Sequence, residues 1–233
     1  FYTPDKEREE KVTLYRKHPL MGWIGIYLDE ICGGRFDFSD TEDFRHLKYT
    51  YQVSDTPRIC YNEVVLPQQL QCRYVRYKAM EWKNTNIGEL LFWGGETRYF
   101  PKTVKGAPAE NPVNVQERMF DDDPLTYYST RLPGATLLLD FGKQVEMDRF
   151  IFIPRNDDNF IRIGDTYELY YHDGRNGWVS LGRKTASAPE LVYDNMPRGA
   201  LFHLRCLTRG EEEQAFHIKD GKQVFISNLS YIR

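Results

Sequence analysis

The sequence predicts an all-β protein, and three observations carry that expectation. Aromatic residues make up 15% of the 233 positions, with 16 Tyr and 14 Phe, and such side chains favour pleated, half-buried surfaces. Short apolar runs recur with Gly, Pro, Asn or Asp between them, the pattern of strands in a sandwich or barrel. No long stretch carries the periodicity of an amphipathic helix.

Taken in order, residues 1–18 are polar and charged, and Asp5–Lys17 reads as a short helix. GWIGIYL, residues 22–28, reads as a buried strand. Gly33-Gly34 marks a turn into RFDF, and Ser39–Asp43 a polar loop. Leu47–Val53 alternates Leu, Tyr, Tyr and Val against Lys, Thr and Gln, the period-two mark of a half-buried strand. Tyr61–Leu66, Arg73–Tyr77 and Glu89–Trp93 follow, and Gly94-Gly95 closes the run. PKTVKGAPAENPVN, residues 101–114, holds three Pro and few large apolar residues, which is linker composition. It sets a domain boundary near residue 97, giving domains 1–97 and 98–233. Strands resume with TLLLDF (136–141), FIFIP (150–154), TYELYY (166–171), WVSLG (178–182), LVYDN (191–195), ALFHLRCL (200–207), QAFHI (214–218) and KQVFIS (222–227). The run His172-Asp173-Gly174-Arg175-Asn176-Gly177 reads as a hairpin turn.

Hydrophobic residues make up 41% of the chain, enough for a packed core, and the net charge is −3. The lack of a dense basic run argues against a nucleic-acid backbone as partner. No apolar stretch approaches the ~20 residues of a membrane helix. The chain opens at Phe1 without Met, which reads as a processed protein or a piece of a longer one. Cys32, Cys60, Cys72 and Cys206 form no metal-binding pattern. They read as free thiols, mostly buried, with a Cys60–Cys72 bridge as the alternative. No GxSxG, HExxH, GxxxxGKS/T or GxGxxG phrase is present, and the five His are scattered. The expectation is therefore that the chain is not an enzyme.

A weak internal repeat relates RYVRY…GELLFW (73–93) to LFHLR…EEQAFHI (201–218). It aligns Arg76 with Arg205 and Glu89 with Glu213. Two phrases point further: FDDDPLTYYS, residues 120–129, and the stretch from Tyr167-Glu168-Leu169 through a turn to Trp178. Together they resemble the discoidin-type domain, the C-type domain of coagulation factors five and eight, also called galactose-binding-like. The family opening Asp-Gly-(Asn/Asp)-x-x-Thr-x-(Trp/Tyr) stands here as Asp121-Asp122-Asp123-Pro124-Leu125-Thr126-Tyr127-Tyr128, with Asp122 where the family has Gly. Residues 98–233 resemble a complete domain and residues 16–97 an abbreviated one. The resemblance implies tandem jelly-roll-like β-sandwiches, the first abbreviated, similar to units appended to secreted or cell-surface proteins of gut Bacteroidetes.

It also implies sites. In such domains the Asp-rich loop often holds a structural calcium, and Ca²⁺ takes six to eight oxygen ligands. Asp121, Asp123 and Thr126 are the candidates, with Glu213 as the late Glu that completes the set. The alternative is an Asx-turn in which Asp121 caps its own loop. The ligand is expected on loops at one end of the sandwich. Arg155, Asn156, Asp158 and Asn159 offer donors and acceptors for sugar hydroxyls, and Phe160 and Tyr128 offer rings for an apolar sugar face. The alternative is a polar loop whose Asn and Asp serve turn geometry. Trp178 reads as core. The function expected is a non-catalytic carbohydrate-binding module of a periplasmic, cell-surface or secreted bacterial protein, with a glycan as partner. The alternative is a structural or interaction region of a larger protein, such as a transglutaminase-like one.

Overall fold

The computed structural model describes residue 4, residues 6–16 and residues 24–226. Strand accounts for 51% of the structure and helix for 5%, so the all-β expectation holds. Among the described residues no helix is long and apolar enough to cross a membrane.

In chain order the elements are β1 (Arg8–Leu14), α1 (Ile24–Ile31), β2 (Arg35–Ser39), β3 (Tyr49–Gln52), β4 (Asn62–Lys78), β5 (Thr85–Gly94), β6 (Thr97–Tyr99) and β7 (Thr103–Gly106). A single 3-10 turn, Gln116–Phe120, precedes β8 (Tyr128–Thr130) and the long β9 (Thr136–Pro154). Then come β10 (Thr166–His172), β11 (Trp178–Thr185), β12 (Leu191–Pro197), β13 (Leu201–Cys206), β14 (Glu211–Glu212), β15 (Phe216–Lys219) and β16 (Lys222–Phe225).

These elements form two compact units, Trp23–Asp157 and Phe1–Gly22 together with Asp158–Arg233. The chain thus divides elsewhere than at residue 97, which opens β6 and pairs through Gly94↔Thr97 with β5. The Pro-rich stretch after it is no linker either. Val104 pairs with Leu139 and Thr103 with Asp140, placing β7 beside β9.

The Trp23–Asp157 unit holds an eight-stranded antiparallel sheet in the order β3-β2-β4-β9-β5-β6, with β7 on β9 and β8 on β5. Strands β4 and β9 run side by side from Asn62↔Phe152 to Lys78↔Thr136, with register shifts after Val65 and after Cys72. Two strands expected within β4 and two within β9 are therefore single bulged strands, because a bulge breaks the local pattern without ending the pairing. Alternation sends Phe36, Phe38, Val75, Tyr77, Phe92, Phe150 and Phe152 into one core. Phe150 is its centre, with ring centroids 5.0 Å from Phe36, 5.5 Å from Phe38 and 6.0 Å from Phe92. Truncating such a ring to Ala costs about 3–5 kcal/mol.

The other unit holds the order β11-β10-β13-β15-β16, with β14 on β13, and a separate β1–β12 pair. Its core gathers Val12, Leu14, Tyr167, Leu169, Tyr193, Phe202, Leu204 and Phe216.

Two expected elements change type. Residues 8–14, placed in a helix by composition, form β1. They pair from Arg8↔Pro197 to Leu14↔Leu191 and bury Val12 and Leu14. Ladder pairing and burial outweigh the helix preference of Lys and Glu, which is worth only tenths of a kcal/mol per residue. Ile24–Ile31 is a helix where a buried strand was expected. Ile26 and Asp29, three residues apart, are exposed while Ile31 is buried, which is helical rather than strand spacing. Gly22 and Trp23 lie outside the described residues. Gly33, at φ +80, ends the helix. All four cysteines are free, with Cys60, Cys72 and Cys206 buried and Cys32 partly so. Burial pushes the Cys60 and Cys72 thiols up to about 12.

Candidate functional site

The loop expected to hold a ligand is largely consumed by its own structure. The division between the two units falls inside it, between Asp157 and Asp158. On one side, the Arg155 guanidinium lies over Tyr27 and Tyr127, 4.0 Å from each ring centroid. It also donates to both Asp157 oxygens, at 2.8 and 3.3 Å. Asn156 is buried and its Nδ2 donates to the Pro124 carbonyl at 2.7 Å. Tyr128 does not join them; it is buried in β8, where its hydroxyl donates to the Ala107 carbonyl at 2.8 Å. The ring that meets Arg155 is its neighbour, Tyr127. On the other side, Asn159 and Phe160 are buried. Asp158 accepts from Arg16 Nη1 at 2.8 Å and from Arg162 Nε at 3.0 Å. Asp157 and Asp158 have φ of 44 and 64, the left-handed region that Asp and Asn tolerate best after Gly.

The candidate calcium ligands are likewise divided. Asp121 accepts from the Thr126 hydroxyl at 2.9 Å, the Asp123 N–H at 3.1 Å and Arg118 Nη1 at 3.1 Å. Asp123 caps the Leu125 N–H at 3.0 Å. These are the bonds of Asx-turns. Burial opposes ionisation of Asp121, but these donors outweigh it and hold the carboxyl below its ordinary range. Glu213 belongs to the other unit, where it accepts from Arg16 Nε at 2.6 Å. Among the described residues no group of three or more His, Cys, Asp and Glu is placed to hold a metal ion.

What stands beside Asp121 is Glu89, on β5. It is 1% exposed, and neither carboxyl oxygen has a hydrogen-bond donor among the described residues. Burial, then the adjacent Asp121 carboxyl, push it up to about 8, against the pull of Arg98. Two carboxyls so placed need a proton or a cation between them.

A different surface is left open. Strands β10 and β13 turn Tyr167, Leu169, Phe202 and Leu204 inward, so Glu168, Tyr170, His172, His203 and Arg205 face outward. The register aligns Tyr170 with His203, Glu168 with Arg205 and His172 with Trp178. Asp173 fixes the expected hairpin. Its Oδ1 accepts the N–H groups of Arg175 and Asn176 at 2.7 and 2.6 Å, which pulls its carboxyl down to about 2. Trp178 therefore lies on the outer face, 47% exposed, and not in the core. Its ring stands 5.5 Å from His172, edge-on, and 5.6 Å from His203. Tyr170, Trp178, His203 and Arg205 line a depression of ≈ 480 Å³. Glu168 is held ionised at its edge by Ser180 Oγ at 2.7 Å and Arg183 Nε at 3.0 Å.

The signal for this face was present in the sequence. Trp178 pairs with His172, which shares its parity with Glu168 and Tyr170, and the parity of a hairpin decides which face a residue takes. Compared with family models, curated proteins and solved structures, the chain matches none of them.

Proposed function

We propose that this chain is a non-catalytic carbohydrate-binding module whose platform is the outer face of β10, β11 and β13. One observation carries the reading: a half-exposed Trp178 sits on rigid strands among Tyr170, His203 and Arg205. The C–H face of a sugar stacks on an indole ring, and its hydroxyls take hydrogen bonds from guanidinium, imidazole and phenol. An open platform with few polar groups binds weakly, at Kd on the order of 0.01–1 mM, about −7 to −4 kcal/mol. The discoidin-type phrases at Asp121–Tyr128 and Tyr167–Trp178 support a carbohydrate-binding module as such, although the resemblance places the ligand on end loops and not on this face. A periplasmic, cell-surface or secreted setting belongs to the same proposal.

The test is a glycan array followed by titration of the best hit. Binding lost at least tenfold in Trp178→Ala, with the melting temperature held, supports the proposal. Silence at high protein concentration overturns it. If a larger protein's other domains were then retained through Trp178, the face would be a docking surface instead.

A structural calcium belongs to this proposal. Asp121, Glu89 and the Thr126 hydroxyl would hold it, with Glu89 in the place first given to Glu213. The support is the pair of buried Glu89 oxygens that lack a donor among the described residues. Calcium would neutralise two adjacent carboxylates and rigidify the turn. Its test is the melting temperature in EDTA against that in Ca²⁺; equal values overturn it.

A further inference from the structure

The Trp23–Asp157 unit carries a second depression, of ≈ 280 Å³, where β2 begins, β3 and β4 end and the turn into β5 starts. Arg35, Gln52, Lys78, Glu81 and Trp82 are among its lining residues. Trp82 is 70% exposed, the most exposed aromatic side chain among the described residues. Burying such a ring is worth about 2–3 kcal/mol, and here folding leaves it in water.

The turn that presents it is firmly held. Lys83 N–H bonds the Met80 carbonyl at 3.0 Å, the Ala79 N–H bonds the Ala135 carbonyl at 2.9 Å, and the Gly134 N–H bonds the Lys83 carbonyl at 3.1 Å. Lys83 Nζ reaches back to the Asp29 carbonyl at 2.6 Å. Met80 packs onto Gly33, where a β-carbon would stand 2.0 Å from its sulfur.

The charges beside Trp82 are arranged at a cost. Arg35 lies directly opposite Lys78 on β4 and directly opposite Gln52 on β3. Directly opposed residues of an antiparallel pair share a face, and like charges so placed destabilise a sheet. Two residues along, the fully buried Asp37 answers Arg35 Nε at 3.0 Å and Arg76 Nη2 at 2.7 Å. Lys78 has no ion pair among the described residues. Arg35 and Arg76 thus share one carboxylate, and the lining itself carries two cations, Arg35 and Lys78, with Glu81 as its acid.

We propose that this depression binds an acidic saccharide, with Trp82 stacked on the ring and Lys78, Arg35 and Gln52 on its carboxylate or sulfate group and neighbouring hydroxyls. An indole beside an ammonium and a guanidinium matches a ring that carries an anion. The anion would also relieve the Arg35–Lys78 repulsion. The site does not depend on the Trp178 face, and the two can fail separately.

The experiment titrates the full chain with oligogalacturonate, with the same oligosaccharide after carboxyl reduction, with a sulfated neutral oligosaccharide, and with free acetate and sulfate. The expected result is that the acidic oligosaccharides bind and carboxyl reduction costs at least tenfold. Trp82→Ala and Lys78→Gln each cost at least tenfold as well, while Lys78→Gln keeps or raises the melting temperature. Trp178→Ala leaves this binding unchanged. Equal affinity for the reduced oligosaccharide overturns the proposal, as does unaltered binding in Trp82→Ala and Lys78→Gln. Free anions binding as tightly as the oligosaccharides overturn the saccharide assignment.

Discussion

Glu213 in one unit and Glu89 in the other are both buried carboxyls, and they are met by opposite partners. Glu213 is 4% exposed and faces Arg16, itself 1% exposed. Burial pushes Glu213 up to about 7, against the pull of that guanidinium. Arg16 also pairs with Asp158 and Glu211, so one cation gathers three carboxylates from distant parts of the chain. Glu89 faces another carboxyl, Asp121, and is pushed up to about 8. The first arrangement supplies its cation from within the protein, although the second Glu213 oxygen, Oε2, has no donor among the described residues; it acts as a lock. The second sets one carboxyl against another, so that a proton is held between them at neutral pH. A buried acid therefore marks a constraint, and only its neighbour says whether the constraint is structural or functional.

The largest effect that would break this comparison is expected from Arg16→Ala. Removing the cation leaves Glu213 and Asp158 uncompensated, and we expect a loss of about 3–5 kcal/mol in urea unfolding. A loss below about 1 kcal/mol would mean that Arg16 is no lock.

The next largest concerns pH. Both glutamates have native values above the ordinary 4.5, so the folded protein keeps protons that the unfolded chain releases. Their contribution is fully present below the unfolded value and is lost as pH rises, ending near pH 7 for Glu213 and near pH 8 for Glu89. In EDTA, Glu89→Gln should remove its share of that decline. The variant should gain about 2 kcal/mol on wild type between pH 5 and 8.5, a figure discounted from the shift itself. In Ca²⁺ the wild type should recover stability, and the calcium-induced rise in melting temperature should grow as pH passes 8. A calcium effect that is the same at pH 6 and pH 9 would separate the metal from Glu89.

Smaller still is Arg155→Ala. It loses two cation–ring contacts and the Asp157 pair, for about 1–3 kcal/mol, and glycan affinity should not move. Affinity lost with stability unchanged would return the binding site to the loop at residues 155–160.

The legible parts of this molecule are those governed by local rules. The period-two stretches Tyr167–Tyr171 and Tyr49–Gln52 are strands because alternation and burial follow the same two-residue repeat. The Asp173–Gly177 turn was legible because Asp accepts its own loop's N–H groups. The aligned pair Glu89 and Glu213 also stood out, and both proved buried. Less legible was anything set by a partner far along the chain. Residues 8–14 become a strand because β12 lies beside them, some 180 residues away. Polar loop residues drew attention as sugar ligands, yet Arg155, Asn156 and Asp158 hold internal bonds. Composition cannot tell a donor turned outward from one turned in.

The sequence by itself determined the all-β class, most strands and the hairpin turns, because propensity and two-residue alternation act over a few neighbouring residues. Only the tertiary structure decided which units those strands build and what each buried carboxyl meets. It also decided which aromatic rings stay in water. Those outcomes depend on pairing and packing between segments far apart in the chain, whose energies no local pattern encodes.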